Sequence, residues 1–234
     1  MAEQIEPQLA TAAKNRRNNY LVFAGMFVLT LLKLWLTSWQ EVEAQGSARF
    51  DDHLFVQLAD HLRHGEWLGA YNERTLVKGP VYPMWLAAVS LSRLPLFPMQ
   101  HLLHAIAAAA VMFAMRRVFP RRGAQLALFA LLIFDPGTYE TTSHRVTREG
   151  IYTALALFVI AGAAAIAVRP TLRGIAAWLW AAALGVALSA FWFTREEGPW
   201  ILPAVAILLI AAAVSCLLAT STACIAGTWC WWSA

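Results

Sequence analysis

The chain has 234 residues, of which 59% are hydrophobic and only 14% charged, with a formal net charge of +4. Soluble domains carry about 25% charged residues, so this composition excludes an ordinary water-soluble domain and makes a bilayer the expected solvent. The basic residues sit in short loops and not on one face, which excludes a nucleic-acid footprint.

In chain order, residues 1–20 read as a cytoplasmic tail bearing Lys14, Arg16 and Arg17. A first span follows over Leu21–Trp39, since a helix needs about 20 mainly apolar residues to cross. Lys33 falls in its outer third, where a long side chain can snorkel to the interface. Gly46-Ser47-Ala48 loosely resembles a signal-peptide cleavage site. The span is longer than a signal core and holds Lys33, so it is expected to be retained.

Residues 40–100 form a long polar segment interrupted by two short apolar stretches. Residues 52–64 place Phe55, Leu58, Ala59 and Leu62 on one stripe and Gln57, Asp60, His61 and His64 on or near the other. That pattern predicts an amphipathic helix lying at an interface. Asp51 or Asp52 would stand at its N-terminus, where one could simply be an N-cap. GEWLGAYN reads as a loop, with Trp67 and Tyr71 as interface anchors. Val81–Leu94 is apolar but would rise only about 21 Å as a helix. A segment of that length is expected to lie at the interface without crossing.

Five more spans are expected: His101–Met115, with His101 and His104 at the interface, Gly123–Phe134 extending to about Tyr139, Gly150–Val168, Gly174–Phe193 and Pro199–Leu218. Residues 219–234 are an apolar tail. Cys216, Cys224 and Cys230 lack metal-type spacing and read as buried, inert thiols. Runs such as GAAAIA suit close helix packing.

Positive charge sets the expected orientation. With the N-terminus inside and Val81–Leu94 not crossing, RRVFPRR (116–122) and VRPTLR (168–173) are inner loops, rich in arginine and free of acids, as the positive-inside rule requires. The outer segments are then roughly 40–100, 136–149 and 194–198. They bring DDHLF, VKGP, SHRVTREG and TREEGPW to one face. The fold expected is therefore all-α: a polytopic transmembrane helical protein with interfacial helices in its first outer loop.

Glu149 at a helix N-terminus can be explained by the helix dipole alone. Arg145 and Arg148 there cannot, because the dipole disfavours cations, so a role in binding is the better explanation. Arg195 follows the same logic, with Glu196 and Glu197 as partners or dipole complements. His61/His64 and His101/His104 are spaced to share helix faces and could bind metal, though solvated or interfacial histidines are commoner. Asp51 and Asp52 could hold a divalent metal through oxygen.

The order of these motifs resembles the GT-C membrane glycosyltransferases. A first outer loop opens with Asp-Asp, an LADHLRHGEW-like amphipathic helix follows, and then K-G-P-x-Y-P-x-W-L. RRVFPRR resembles the inner loop of these enzymes, and RVTREGIY and FTREEGPWILPA resemble entries into later spans. The bacterial protein-O-mannosyltransferase-like and aminoarabinose-transferase-like groups are the nearest in pattern, over residues 20–210. Residues 21–218 would form a GT-C-like N-terminal module.

This resemblance implies transfer of a sugar from a polyprenyl-phosphate donor to an acceptor glycan, lipid or protein at the periplasmic face of a bacterial inner membrane. It implies that Asp51 is the general base, with Asp52 beside it at a position that is Glu in many relatives, and that Lys78 contacts the lipid phosphate. Arg145, Arg148, Glu149, Arg195 and Glu196 would complete the phosphate and substrate site. The groups resembled generally need no metal, so no cofactor and no nucleic acid partner are expected. Members usually have more spans and often a further soluble domain, so a chain that ends near a sixth span reads as C-terminally shortened. The competing expectation is non-catalytic: a lipid-binding or transporter-like protein, or an inactive fragment, holding a lipid head group with the same cations. A transporter would more often place polar residues at mid-span.

Overall fold

The computed structural model describes residues 5–39, 51–70, 78–139, 145–168, 174–195, 198–211 and 213–214, with side chains described from Asn19 onward, Asp51 excepted. Among these residues every regular element is helical. Helix α1 (Ile5–Thr37) begins well before the apolar run, so residues 5–20 continue the helix and are not an extended tail. Ala, Gln, Leu, Lys and Arg in this stretch are strong helix formers, which accounts for the extension.

Helices α2 (Asp51–Arg63) and α3 (Val81–Ser92) follow. In α2, Phe55, Leu58 and Ala59 are buried while Gln57 and Asp60, and His64 just beyond the helix, are exposed, as the periodicity predicts. At 12 residues, α3 rises only about 18 Å. It ends at Arg93, whose left-handed φ of 56° breaks the helix. Pro95 then starts α4 (Leu96–Met115), which is longer at its N-terminal end than the expected span from His101. Proline cannot continue α3 but suits the start of a new helix.

The remaining helices are α5 (Arg122–Ile133), α6 (Glu149–Ala167), α7 (Ile175–Trp192) and α8 (202–211). Among the described residues four segments are long and apolar enough to cross a membrane by length and composition: Asn19–Thr37 within α1, and α4, α6 and α7. Six were expected. Helix α5 stops short because Pro136 disfavours helix at the preceding Asp135, and a 3-10 turn (Pro136–Tyr139) takes its place. Residues 215–218 of the sixth expected span, the tail at 219–234 and all three cysteines lie outside the described residues.

Small residues let the central helices approach closely. Ala161, Ala163, Ala164 and Ala165 of α6 are all buried. A Cβ on Gly162 would stand 3.1 Å from the Cβ of Leu184 on α7. On its other side, α6 packs on α4 through Ala105, Ala108, Ala154 and Ala161, and α1 and α5 add Met26, Phe129 and Ile133 to the same core. Elsewhere the long apolar helices turn large side chains outward: Phe23, Phe27 and Trp35 on α1, and Trp178, Leu179 and Val186 on α7.

Contacts fix which helix ends lie together. The Gln100 amide near the start of α4 lies against Gly150 at the start of α6, so these two helices run parallel. Tyr152, at the start of α6, stacks on Phe191 near the end of α7, with ring centroids 4.5 Å apart, so α6 and α7 run antiparallel. Gly79, just before α3, packs on the Phe193 carbonyl at the end of α7. The polar segments before α3, α4 and α6 and after α7 therefore meet at one end of the bundle. Both ends of α3 lie at that end of the bundle.

One expectation fails within this frame. Lys33 does not snorkel: it is fully buried, with its ammonium 3.9 Å from the centre of the Tyr139 ring and donating to Thr138 Oγ1. The turn after α5 supplies a hydroxyl and an aromatic face, so the charge is met inside the protein. His101 and His104 are likewise buried inside the protein. His104 Nε2 donates to the Leu132 carbonyl at 2.9 Å, tying α4 to α5.

Candidate functional site

The site begins at the N-terminus of α2. Asp51 is its first residue, but its side chain lies outside the described residues. Asp52, whose side chain is 9% exposed, is not an N-cap: its carboxylate accepts two hydrogen bonds from Arg145, from Nε and Nη2, both at 3.1 Å. This fork-on-carboxylate geometry is the strongest form of such a pair. It fixes α2 to the segment that leads into α6, and Val146 anchors the same segment by packing with Phe55, Tyr82 and Ile151.

A second pair lies at the start of α6. Glu149 Oε1 is 3.5 Å from Arg195 Nη1. Sequence reasoning assigned Arg195 to Glu196 or Glu197; both lie outside the described residues, and Glu149 is a partner that was missed. The Arg195 guanidinium also stands 5.4 Å from the centre of the Tyr152 ring, within cation–π range. Tyr152 is held in turn by Trp200, whose indole N–H donates to its hydroxyl at 2.8 Å. Arg148 occupies the N-cap position of α6 with helical backbone angles, and its carbonyl accepts from Ile151 and Tyr152. Thr194, which is buried, donates to the Ala190 carbonyl and closes the end of α7 just before Arg195.

Lys78 is partly buried and enters from the other side. The residue after it, Gly79, approaches the Phe193 carbonyl so closely that no side chain could fit between them. The backbone before α3 thus abuts the end of α7, one residue from Lys78 and two from Arg195.

Beneath the pairs is a buried polar floor that sequence reasoning missed. Tyr82 is fully buried and its ring meets Phe55 edge-on at 5.0 Å. Its hydroxyl, the amide nitrogen of Gln100 and the indole nitrogen of Trp85 are all buried without a hydrogen-bond partner. Burial pushes the Tyr82 phenol well above the usual tyrosine range. The nearby Gln100 amide opposes this without the alignment of a hydrogen bond, and the Asp52 and Glu149 carboxylates reinforce it. Tyr82 stands inside the K-G-P-x-Y-P stretch, so the signal was present in the sequence but gave no direction to the side chain.

The histidines and acids do not gather as metal ligands. His61 pairs with Glu66 at 2.6 Å, and His64 bonds the Asp60 carbonyl at 2.9 Å. Among the described residues no three His, Cys, Asp or Glu side chains lie close enough to hold an ion. Asp52, one of the two acids expected to take a divalent metal, instead meets a guanidinium.

The arrangement can bind an anion and can hold carboxylates in fixed positions. Arg145 spends two N–H donors on Asp52 and so sets the position of that carboxylate. No protein-family model matches the chain, and no curated protein or solved structure matches it.

Proposed function

We propose that the chain is a polytopic membrane protein of the GT-C type that transfers a sugar from a polyprenyl-phosphate donor at the outer, periplasmic face of an inner membrane. The observation that carries this reading is the meeting of Lys78, the Asp52–Arg145 pair and the Glu149–Arg195 pair at one end of a bundle of apolar helices. A donor anchored in a bilayer would present its phosphate at that level.

In this reaction the acceptor hydroxyl attacks the anomeric carbon and its proton passes to Asp51. The bond between the anomeric carbon and the phosphate oxygen breaks, and polyprenyl phosphate leaves as an anion. The positive charges of Lys78, Arg145, Arg148 and Arg195 would stabilise that charge as it forms. Asp52 and Glu149 then act as positioning residues, because each aims a guanidinium. Acceptors range from a glycan to a lipid or a protein, and no metal enters the scheme.

A second reading has its own support. The Asp52 and Glu149 carboxylates each pair with an arginine, which suits a non-catalytic protein that holds a lipid head group. In vitro transfer with a labelled polyprenyl-phosphate sugar separates the two. The catalytic reading expects Asp51→Asn to lower the rate by about 10²–10⁴-fold and Lys78→Ala to raise the KM for donor. Full activity in Asp51→Asn removes the base assignment. Binding of the lipid by the native chain with no turnover establishes the second reading.

A further inference from the structure

A groove of about 430 Å³ lies between α2 and α3, within the size range of small-ligand sites. Two helical stripes form its walls. Val56, Ala59, Asp60 and Arg63 recur at i, i+3, i+4 and i+7 on α2, and Leu86, Val89 and Ser90 at i, i+3 and i+4 on α3, spacings that place each set on one face. Val146 closes one end, next to Arg145, and Leu94 and Leu96 flank the start of α4.

The walls are apolar but the α2 rim is not. Asp60 and Arg63 pair there at 3.5 Å, with side chains 57% and 43% exposed, and His64 Nδ1 stands 3.8 Å from the other Asp60 oxygen. A rim with one acid beside one base complements a head group that carries both charges. It is a poor match for a purely anionic one, which Asp60 would repel. Arg63 is about 16 Å along α2 from Asp52, so this rim is separate from the arginine pairs. Val56 and Leu94 are half exposed at the groove mouth, leaving its apolar interior open to a chain entering from the side.

We propose that this groove binds one hydrocarbon chain of a zwitterionic phospholipid, whose ammonium meets Asp60 and whose phosphate meets Arg63. The proposal rests on the membrane placement above but not on glycosyl transfer. A lipid seated there would fill the space between the two interfacial helices and hold them at a fixed separation beside α4.

The test reconstitutes the full chain in vesicles of equimolar dioleoyl-phosphatidylethanolamine and dioleoyl-phosphatidylglycerol with a trace of undecaprenyl phosphate. After mild detergent extraction, the lipid retained per chain is measured by mass spectrometry. The ethanolamine lipid is expected to be enriched about three- to fivefold, the scale of a half-exposed ion pair. Ser90→Trp, at an exposed rim position, should abolish retention by filling the mouth, and Val56→Trp should do the same from the opposite wall. Asp60→Asn should keep a bound chain but remove the preference for the ethanolamine lipid. Retention unchanged in both tryptophan variants overturns the proposal, as does enrichment of the glycerol lipid or of undecaprenyl phosphate. A chain that fails to incorporate into vesicles overturns the membrane placement and this proposal together. Loss of sugar transfer with lipid retention intact would count against the catalytic reading alone.

Discussion

The Asp52 carboxylate is where charge and burial conflict most sharply. Its side chain is 9% exposed and that of Arg145 is 31% exposed, so the pair is neither deeply interior nor on the surface. Removing one partner strands the other, which costs about 3–5 kcal/mol in a fully buried pair and under about 1 kcal/mol in an exposed one. Arg145→Met should therefore destabilise the protein by about 2–3 kcal/mol. The double variant Asp52→Leu/Arg145→Met should recover more than half of that loss. Chemical unfolding in detergent measures both, and single-variant costs near zero would show that the pair adds nothing to stability. Tyr82 presents the opposite case, a hydroxyl buried without a partner. Tyr82→Phe should be neutral or stabilising by up to about 1 kcal/mol. Because burial raises the folded-state pKa of Tyr82, the unfolded chain releases this proton first, near the ordinary tyrosine value of about 10. Stability present below that pH is lost as pH rises above it. Tyr82→Phe should lessen the alkaline fall in melting temperature, and an unchanged slope would contradict the burial assignment.

At the scale of elements, the glycines separate close packing from mere helix content. A Cβ at Gly79 would overlap the Phe193 carbonyl, a backbone atom that cannot rotate away. Gly79→Ala should cost about 1–3 kcal/mol or more by overpacking and push Lys78 away from Arg195. Gly185, inside α7, has open space around it, so Gly185→Ala should stabilise by about 0.5–1 kcal/mol through helix propensity. Thermal melts of the two variants should move in opposite directions. The contrast also marks what the sequence could tell. Helix α2 was legible because its 3.6-residue pattern is strong, and α3 because its length and flanking prolines limit it. The early end of α5 was legible too, in Asp135-Pro136, but the apolar run was weighted over the proline. What stayed hidden were pairings between distant segments. Nothing local in Glu149 or Arg195 says that they meet, since that depends on α6 and α7 running antiparallel. Lys33 was misjudged for the same reason: a lysine near a span end can snorkel or turn inward, and only the position of Thr138 and Tyr139 decides between them.

For the whole molecule, the governing fact is that the two ends of the bundle carry different residues. The turn at 116–121, the end of α6 and the start of α7 belong to helices whose other ends carry Gln100, Tyr152 and Phe191, so they lie away from the arginine pairs. If the four apolar helices cross a bilayer, Trp67 and Phe119 must face different compartments. Both side chains are exposed, so a cysteine at either position should react with a water-soluble maleimide. In a background with Cys216, Cys224 and Cys230 changed to serine, Trp67→Cys should label only from outside, in right-side-out vesicles. Phe119→Cys should label only in inverted ones. The arginine-rich turn after α4 makes this orientation the favoured one, since short basic loops stay on the cytoplasmic side. Labelling of both positions from the same side would mean that α3 and α4 both cross or that neither does, and the Lys78, Arg145 and Arg195 cluster would then lose its place at the outer interface. Labelling with the two sides reversed would leave the bundle intact but turn the cluster toward the cytosol. Nucleotide-activated donors are available there, and a lipid-linked sugar would lose its rationale.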